Sequence, residues 1–253
     1  MEYTIPIRFF TVTFLWSWLF MAILFLISKR AISSGNNANF DKISYPFIII
    51  SAFGPAVGAI FSLYTLDGKD SIKYFFESFF SLNFGFIAWI SIFLILGVSA
   101  FVSWFIPGIL RKKLNFNINN LYKFPVILLL MTLLGGGQEE IGWRGYILPF
   151  LENKYGLLFG SLILGIIWAI WHLPLWFIPG SDQKQLNFFA FLLQCIGLSF
   201  LFSWIIEISG DRLLSVLIAH GAYNAILSIF PWFDKDSNLF PKTNEMSGWS
   251  RFQ

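Results

Sequence analysis

The sequence predicts an all-α membrane protein, a polytopic bundle of about seven (six to eight) transmembrane helices. Hydrophobic residues make up 57% of the 253 residues and the mean hydropathy is +0.69, well above what a soluble domain of this length contains. Aromatic residues reach 20%, with 32 Phe among them, which is typical of lipid-facing helices. We therefore expect an integral, multi-pass membrane protein, placed in the cell membrane if the host is prokaryotic.

Charge and cysteine content exclude two other classes of protein. The formal net charge is only +3, too slight to indicate a nucleic-acid partner. A single cysteine, Cys195, rules out a disulfide framework within one chain. The predicted partners of the chain are thus the lipid bilayer and a substrate that binds at the membrane.

Apolar runs of spanning length recur along the chain. The first is about 20 residues long and no small-residue cleavage site follows it, so it predicts a transmembrane helix rather than a cleavable signal. Gly54-Pro55 inside the second run predicts a kink or a turn. The seven predicted spans are Phe9–Ser28, Tyr45–Leu66, Phe84–Ile106, Pro125 through Glu140, Leu157–Phe177, Leu186–Ile208 and Leu213–Phe230.

The segment between the second and third spans differs from its neighbours. Residues Asp67–Ser81 mix lysines and a glutamate with four phenylalanines, a pattern that predicts a helix lying in the membrane interface. We divide the chain into N-terminal helices with this interfacial helix (1–120), a group of helices expected to be catalytic (121–232) and a polar C-terminal tail (233–253).

The distribution of basic residues predicts the orientation in the membrane. With seven spans, 11 of the 17 Lys and Arg residues fall on the side that carries the C-terminus, including the cluster Arg111-Lys112-Lys113. The positive-inside rule then places the C-terminus in the cytoplasm.

Gly135 to Arg144 reads Gly-Gly-Gly-Gln-Glu-Glu-Ile-Gly-Trp-Arg and puts three charges into an apolar run. Charges at bilayer depth are costly and usually functional. In a helix Glu140 and Arg144 share a face and pair, which predicts a structural clamp. Glu139 is turned about 100° away. Its candidate partners are His172 and His220, the only two histidines of the protein.

Two further polar side chains lie near these histidines in sequence. Asn224 follows His220 by four residues, so both point the same way from one helix. Trp168 precedes His172 by four and predicts an aromatic wall for its imidazole. Because lipid offers no hydrogen-bond partners, we expect the polar groups of these helices to meet in one cavity. The Glu139 carboxylate should approach His172 or His220 within about 4–6 Å.

This set of side chains favours two versions of hydrolytic chemistry. A carboxylate, two histidines and an asparagine can activate a water and stabilise an oxyanion. Glu139, His172 and His220 also match a known catalytic zinc set, although the sequence has no His-Glu-x-x-His and such a site would be assembled across helices. The residues leave both versions open, one with a divalent metal such as zinc and one without.

The three motifs together resemble the CPBP (CAAX protease and bacteriocin-processing, or Abi) family of intramembrane proteases, which includes the type II CAAX prenyl endopeptidases. They are Glu139-Glu140-x-x-x-Arg144, Trp168-x-x-x-His172 and His220-x-x-x-Asn224, and they cover the fourth to seventh spans, about half the chain. The family usually has Phe at the position of Trp168.

The resemblance implies an endopeptidase and a role for each residue. Glu139 and His172 would deprotonate the attacking water, His220 and Asn224 would line the oxyanion hole, and Glu140 and Arg144 would hold the helix in shape. Family members are described as metalloproteases or as metal-free glutamate enzymes. The substrate would be a peptide or protein, lipid-modified in the eukaryotic relatives.

Two alternatives use the same fold without peptidase chemistry. One is a non-catalytic immunity or scaffold protein, which the complete set of motif residues argues against. The other is a transporter with a polar relay, which is weakened because no inverted repeat relates the two halves of the sequence.

Overall fold

The computed structural model describes residues 6–33, 40–79, 81–98, 101, 105, 122–179 and 181–229, and these residues form helices and turns without strands. The predicted end of the third span, the basic cluster Arg111–Lys113 and the tail 233–253 lie outside the described residues. The N-terminal helices are α1 (Ile7–Ser33), α2 (Phe40–Ala52), α3 (Gly54–Asp67), α4 (Lys69–Phe79) and α5 (Gly85–Ile90), the last continued by a π-helical turn, Ser91–Ile95.

The helices that follow carry the predicted site. They are α6 (Phe124–Leu134), a 3₁₀ turn (Gly137–Glu139), a short α-turn (Glu140–Gly142), a π-helical turn (Trp143–Ile147), α7 (Leu148–Trp171), 3₁₀ turns at Leu173–Trp176 and Asp182–Gln185, α8 (Phe188–Ile208) and α9 (Leu213–Ile229).

The predicted second span is two helices joined at Phe53. Pro55 has no backbone N–H and stands in the first turn of α3, where none is needed, so the chain turns here and the helix starts again. Helix α4 then follows where an interfacial helix was predicted. Its Phe75 is buried against the bundle, while Lys73 and Glu77 form an exposed ion pair of 3.8 Å. Its position at a membrane interface stays a prediction.

The predicted fourth span is not one continuous helix. Helix α6 ends at Leu134, and Gly136 takes φ +129° and ψ −38°. This backbone region is open to glycine and costly for other residues. The expectation that the helix runs through the three glycines is therefore wrong, and Glu139 lies in a 3₁₀ turn after the break.

The predicted fifth span begins at a second break and ends early. Gly156 has φ +77° within α7 and interrupts the helix there. The helical turns resume next to the predicted start at Leu157. At its other end α7 stops at Trp171 rather than Phe177, and His172 is its C-terminal cap. Pro174 explains this end, because the residue before a proline is disfavoured in the helical region.

Helix length and composition confirm the predicted all-α membrane fold. Among the described residues, the stretches long and apolar enough to cross a membrane are Ile7–Ala31, Ser44–Leu66, Phe124–Trp176 and Phe188–Ile208, with Gly85–Val98 and Leu213–Leu227 as shorter apolar helices. One crossing needs about 20 residues. The 53-residue stretch Phe124–Trp176, broken at its glycines, therefore has the length of two of the predicted spans.

The packing holds the site segment between N- and C-terminal helices. Helix α1 packs on α2 and α3, α7 on α8, and α9 on both α6 and α8. The short turn after the break packs on α3 so closely that a Cβ at Gly142 would collide with the Pro55 carbonyl. The residues around Glu139 are thus fixed by contacts from both halves of the chain.

Candidate active site

Glu140 and Arg144 form the predicted ion pair. Arg144 Nη1 lies 2.9 Å from Glu140 Oε2, and both side chains are fully buried. None of the Arg144 nitrogens has a well-aligned hydrogen-bond partner among the described residues. The guanidinium instead lies over the rings of Trp168 and Phe202, at 5.1 and 5.4 Å from their centroids. Charge and the two ring faces therefore hold it in place.

Glu140 has a second partner that the sequence analysis missed. Its Oε1 lies 2.7 Å from Nδ1 of His220, 80 residues along the chain. Paired with Arg144, the Glu140 carboxylate accepts this hydrogen bond, so Nδ1 of His220 is the donor. Glu140 is therefore more than a clamp within its own segment, because it also orients the imidazole on α9.

Glu139 is buried and bonded to a side chain that was expected only to provide an aromatic wall. Trp168 Nε1 donates to Glu139 Oε2 at 2.9 Å. Glu139 is 5% exposed and also interacts electrostatically with His220. Glu140 makes the histidine–carboxylate hydrogen bond of this site, and the expected approach of Glu139 to His172 or His220 within about 4–6 Å stays a prediction. A buried Trp usually finds an acceptor for its N–H, and this was the available signal.

His172 is held at the end of α7 by the same tryptophan. Its Nδ1 lies 2.8 Å from the Trp168 carbonyl oxygen. A carbonyl only accepts, so Nδ1 donates and the Nε2 of the neutral ring is an acceptor. The rings of Trp171 and Phe191 lie edge-on to the imidazole, at 4.6 and 5.2 Å. Its orientation and tautomer are thus set by contacts with α7 and α8.

His220 and Asn224 both face the broken backbone after α6, as their spacing predicted. Asn224 Nδ2 donates to the Gly135 carbonyl at 2.6 Å. A Cβ built on Gly136 would lie 2.6 Å from both Asn224 Nδ2 and His220 Nε2. The absent side chain of Gly136 therefore leaves these two nitrogens next to one small space.

The structure gathers the predicted residues from three parts of the chain. The ring of Trp168 lies 5.3 Å from that of His220 and 5.7 Å from that of His172, while its N–H binds Glu139. Asn224 joins them through the backbone at Gly135. The group lies within the bundle, and its members contact one another through Trp168 and the glycine break.

The metal version of the site requires three donor side chains within reach of one ion. Among the described residues, no group of three or more His, Cys, Asp or Glu side chains is placed to hold a metal ion. Nδ1 of each histidine bonds to Glu140 or to the Trp168 carbonyl, as in many metal-bound histidines, so these bonds leave Nε2 as the possible donor and do not argue against a metal. As arranged here, Glu139, His172 and His220 do not form a ligand set, so no step below is routed through a metal.

Comparison with known proteins gives a family match to this region and a similar curated protein. Residues 121–226 match a family model described as type II CAAX prenyl endopeptidase Rce1-like. A "CAAX prenyl protease 2" of Methanococcus maripaludis is 33% identical in an alignment of 109 residues that covers 40% of this chain and 38% of the relative. The chain thus matches less than two fifths of the length of that relative. The family match contains all four residues predicted to be catalytic.

Proposed function

We propose that the protein is an intramembrane endopeptidase of the CAAX-protease (CPBP) family, whose Rce1-like model matches residues 121–226. One observation carries the proposal. Glu139, His172, His220 and Asn224, from three helical segments of an apolar bundle, gather around one tryptophan and one glycine break. Buried polar groups of this kind are maintained at a cost that catalysis explains.

In the proposed reaction Glu139 is the general base. The Trp168 N–H donates to Oε2 of the Glu139 carboxylate, which leaves Oε1 to accept a proton from water. The water oxygen then forms a bond to the carbonyl carbon of the scissile peptide. As the C–N bond breaks, the proton held by Glu139 passes to the leaving amine. The products are a carboxylic acid and an amine, which become a carboxylate and an ammonium when the acid proton passes to the amine, and a base of this kind is worth about 10²–10⁴ in rate.

His172 assists by orienting the water. With Nδ1 donating to the Trp168 carbonyl, Nε2 of the neutral ring offers a lone pair to a water hydrogen. One hydrogen of the water would face His172 and the other Glu139, so the oxygen lone pair points at the substrate carbonyl. This division of roles gives His172 a positioning function and leaves the proton with Glu139.

His220 and Asn224 are proposed to stabilise the oxyanion. Asn224 Nδ2 carries two hydrogens and uses one on Gly135, so the second remains for the substrate oxygen. For His220 to donate from Nε2 as well as Nδ1, the ring must carry both protons, and the Glu140 carboxylate compensates that charge. Removing a single donor of this type usually lowers kcat by about 10²–10³.

The substrate is proposed to be a membrane-associated peptide or protein, of the CAAX type or a bacteriocin-like precursor. The name of the matched relative states a prenyl protease, which favours a lipid-modified C-terminal tail. The apolar helices would keep such a lipid in the bilayer while the peptide enters the site. We also propose that the C-terminus lies in the cytoplasm, as the distribution of Lys and Arg residues predicts.

The test is cleavage by the purified full chain in detergent or liposomes. Three substrates are compared: a farnesylated peptide ending in CAAX, the same peptide without the lipid, and an unrelated hydrophobic peptide. Glu139→Gln should abolish cleavage with the fold intact, while Glu152→Gln, a change of an exposed glutamate on α7, should not. Activity of Glu139→Gln above about a tenth of wild type refutes the general-base role. No cleavage of any peptide by the wild type argues for the scaffold or transporter alternative.

A further inference from the structure

Trp168 makes more contacts with the candidate catalytic residues than a wall of the pocket requires. Its indole N–H donates to Glu139, its backbone carbonyl accepts from His172, and its ring packs edge-on to His220. The side chain is 3% exposed. We propose that Trp168 is the positioning residue of the site, which selects one oxygen of the Glu139 carboxylate and fixes both histidines relative to it. This inference rests on the proposed function.

The indole N–H acts on the carboxylate in a specific way. A carboxylate can rotate and exchange its two oxygens, so either could face the water. The 2.9 Å hydrogen bond holds Oε2 on the tryptophan, and hydrogen bonds to charged groups are among the stronger ones in proteins. Oε1 is then the oxygen that remains for proton transfer. Because the 3₁₀ turn carrying Glu139 follows a glycine break, its own backbone constrains the side chain less than a continuous helix would.

The ring of Trp168 is fixed independently of this hydrogen bond. The Arg144 guanidinium lies 5.1 Å from its centroid, and Phe202 lies 6.2 Å away. Arg144 is in turn paired with Glu140, which orients His220. The indole is thus a rigid donor in a packed group. Phenylalanine, which relatives usually have here, would keep an aromatic ring for these contacts and would lose the donor together with part of the buried ring volume.

Trp168→Phe separates the donor from the ring. We expect kcat to fall about 10-fold or more with KM unchanged, since a hydrogen bond to a charged group is lost and substrate contacts are not. Trp16→Phe is the matched control, because Trp16 Nε1 also donates a 2.8 Å hydrogen bond, to the Ile50 carbonyl, away from the site. Full kcat in Trp168→Phe, or an equal loss in Trp16→Phe, overturns the proposal.

A second measurement does not depend on activity. In a ¹⁵N–¹H spectrum of the labelled chain, the indole signal that disappears in Trp168→Phe identifies Trp168 among the 11 tryptophans. Trp168→Tyr serves for assignment if the Phe variant does not fold. Glu139→Gln should move this signal upfield by removing the charged acceptor, and Glu152→Gln should leave it in place. An unmoved signal refutes the contact itself. A wild type without peptidase activity refutes the proposed function, and the shift still decides whether Trp168 holds Glu139.

Discussion

Gly136→Ala should inactivate the protein through the two nitrogens that face this glycine. The new Cβ would lie 2.6 Å from His220 Nε2 and from Asn224 Nδ2, where ordinary van der Waals contact begins at 3.4 Å. Each side chain must therefore retreat by at least about 0.8 Å, or the backbone must shift. A misplacement of about 1 Å in a catalytic group costs on the order of 10²-fold in rate. We expect kcat/KM for the cleaved peptide to fall by that factor.

Two other glycines separate this contact effect from backbone strain. Gly136 has φ +129°, so alanine also adds strain of about 1–3 kcal/mol. Gly156→Ala shares a positive φ of +77° but has open space around its Cβ, and Gly197→Ala has open space and no positive φ. Gly156→Ala should lower the Tm in detergent with little loss of kcat, and Gly197→Ala, inside α8, should keep kcat without lowering the Tm. If Gly136→Ala keeps wild-type turnover, or if Gly156→Ala loses as much, the assignment of this space to the oxyanion is refuted.

Three other predictions concern the charges and donors of the site. Arg144→Ala leaves Glu140 without its buried cation and should lower the free energy of unfolding by about 3–5 kcal/mol, measured by heat or denaturant. The double variant Glu140→Gln with Arg144→Met should restore part of that loss. A double variant that is no more stable than Arg144→Ala contradicts a structural pair. Asn224→Ala should lower kcat about 10²–10³-fold with little change in Tm, and an unchanged kcat removes it from the oxyanion hole. Prolonged chelation should leave peptidase activity intact, whereas loss that zinc reverses would establish the metal version.

Contacts within one helical turn were predictable from the sequence. Glu140 and Arg144 are four residues apart, and the structure pairs them even though a π-helical turn begins between them. His220 and Asn224 both reach the same glycine break for the same reason. Such pairs follow from the helical repeat alone, so the sequence determines them wherever the segment is helical.

Contacts between helices depended on geometry that periodicity does not contain. Glu139 and Glu140 are adjacent, and a rotation of one helix decides which of them meets His220. The break at Gly136 precedes both acids and sets that rotation. Glu140 then bonds to His220, and Glu139 bonds to Trp168.

The close contact of Gly142 with the Pro55 carbonyl has a consequence for how the protein can be divided. The family match begins at residue 121, which suggests a boundary for an excised catalytic fragment. A fragment starting there would lose α3 and expose the glycine face on which the Glu139 turn rests. Chimeras that exchange N-terminal helices between relatives should therefore function only when the incoming helix lets its backbone approach Gly142 as closely as Pro55 does.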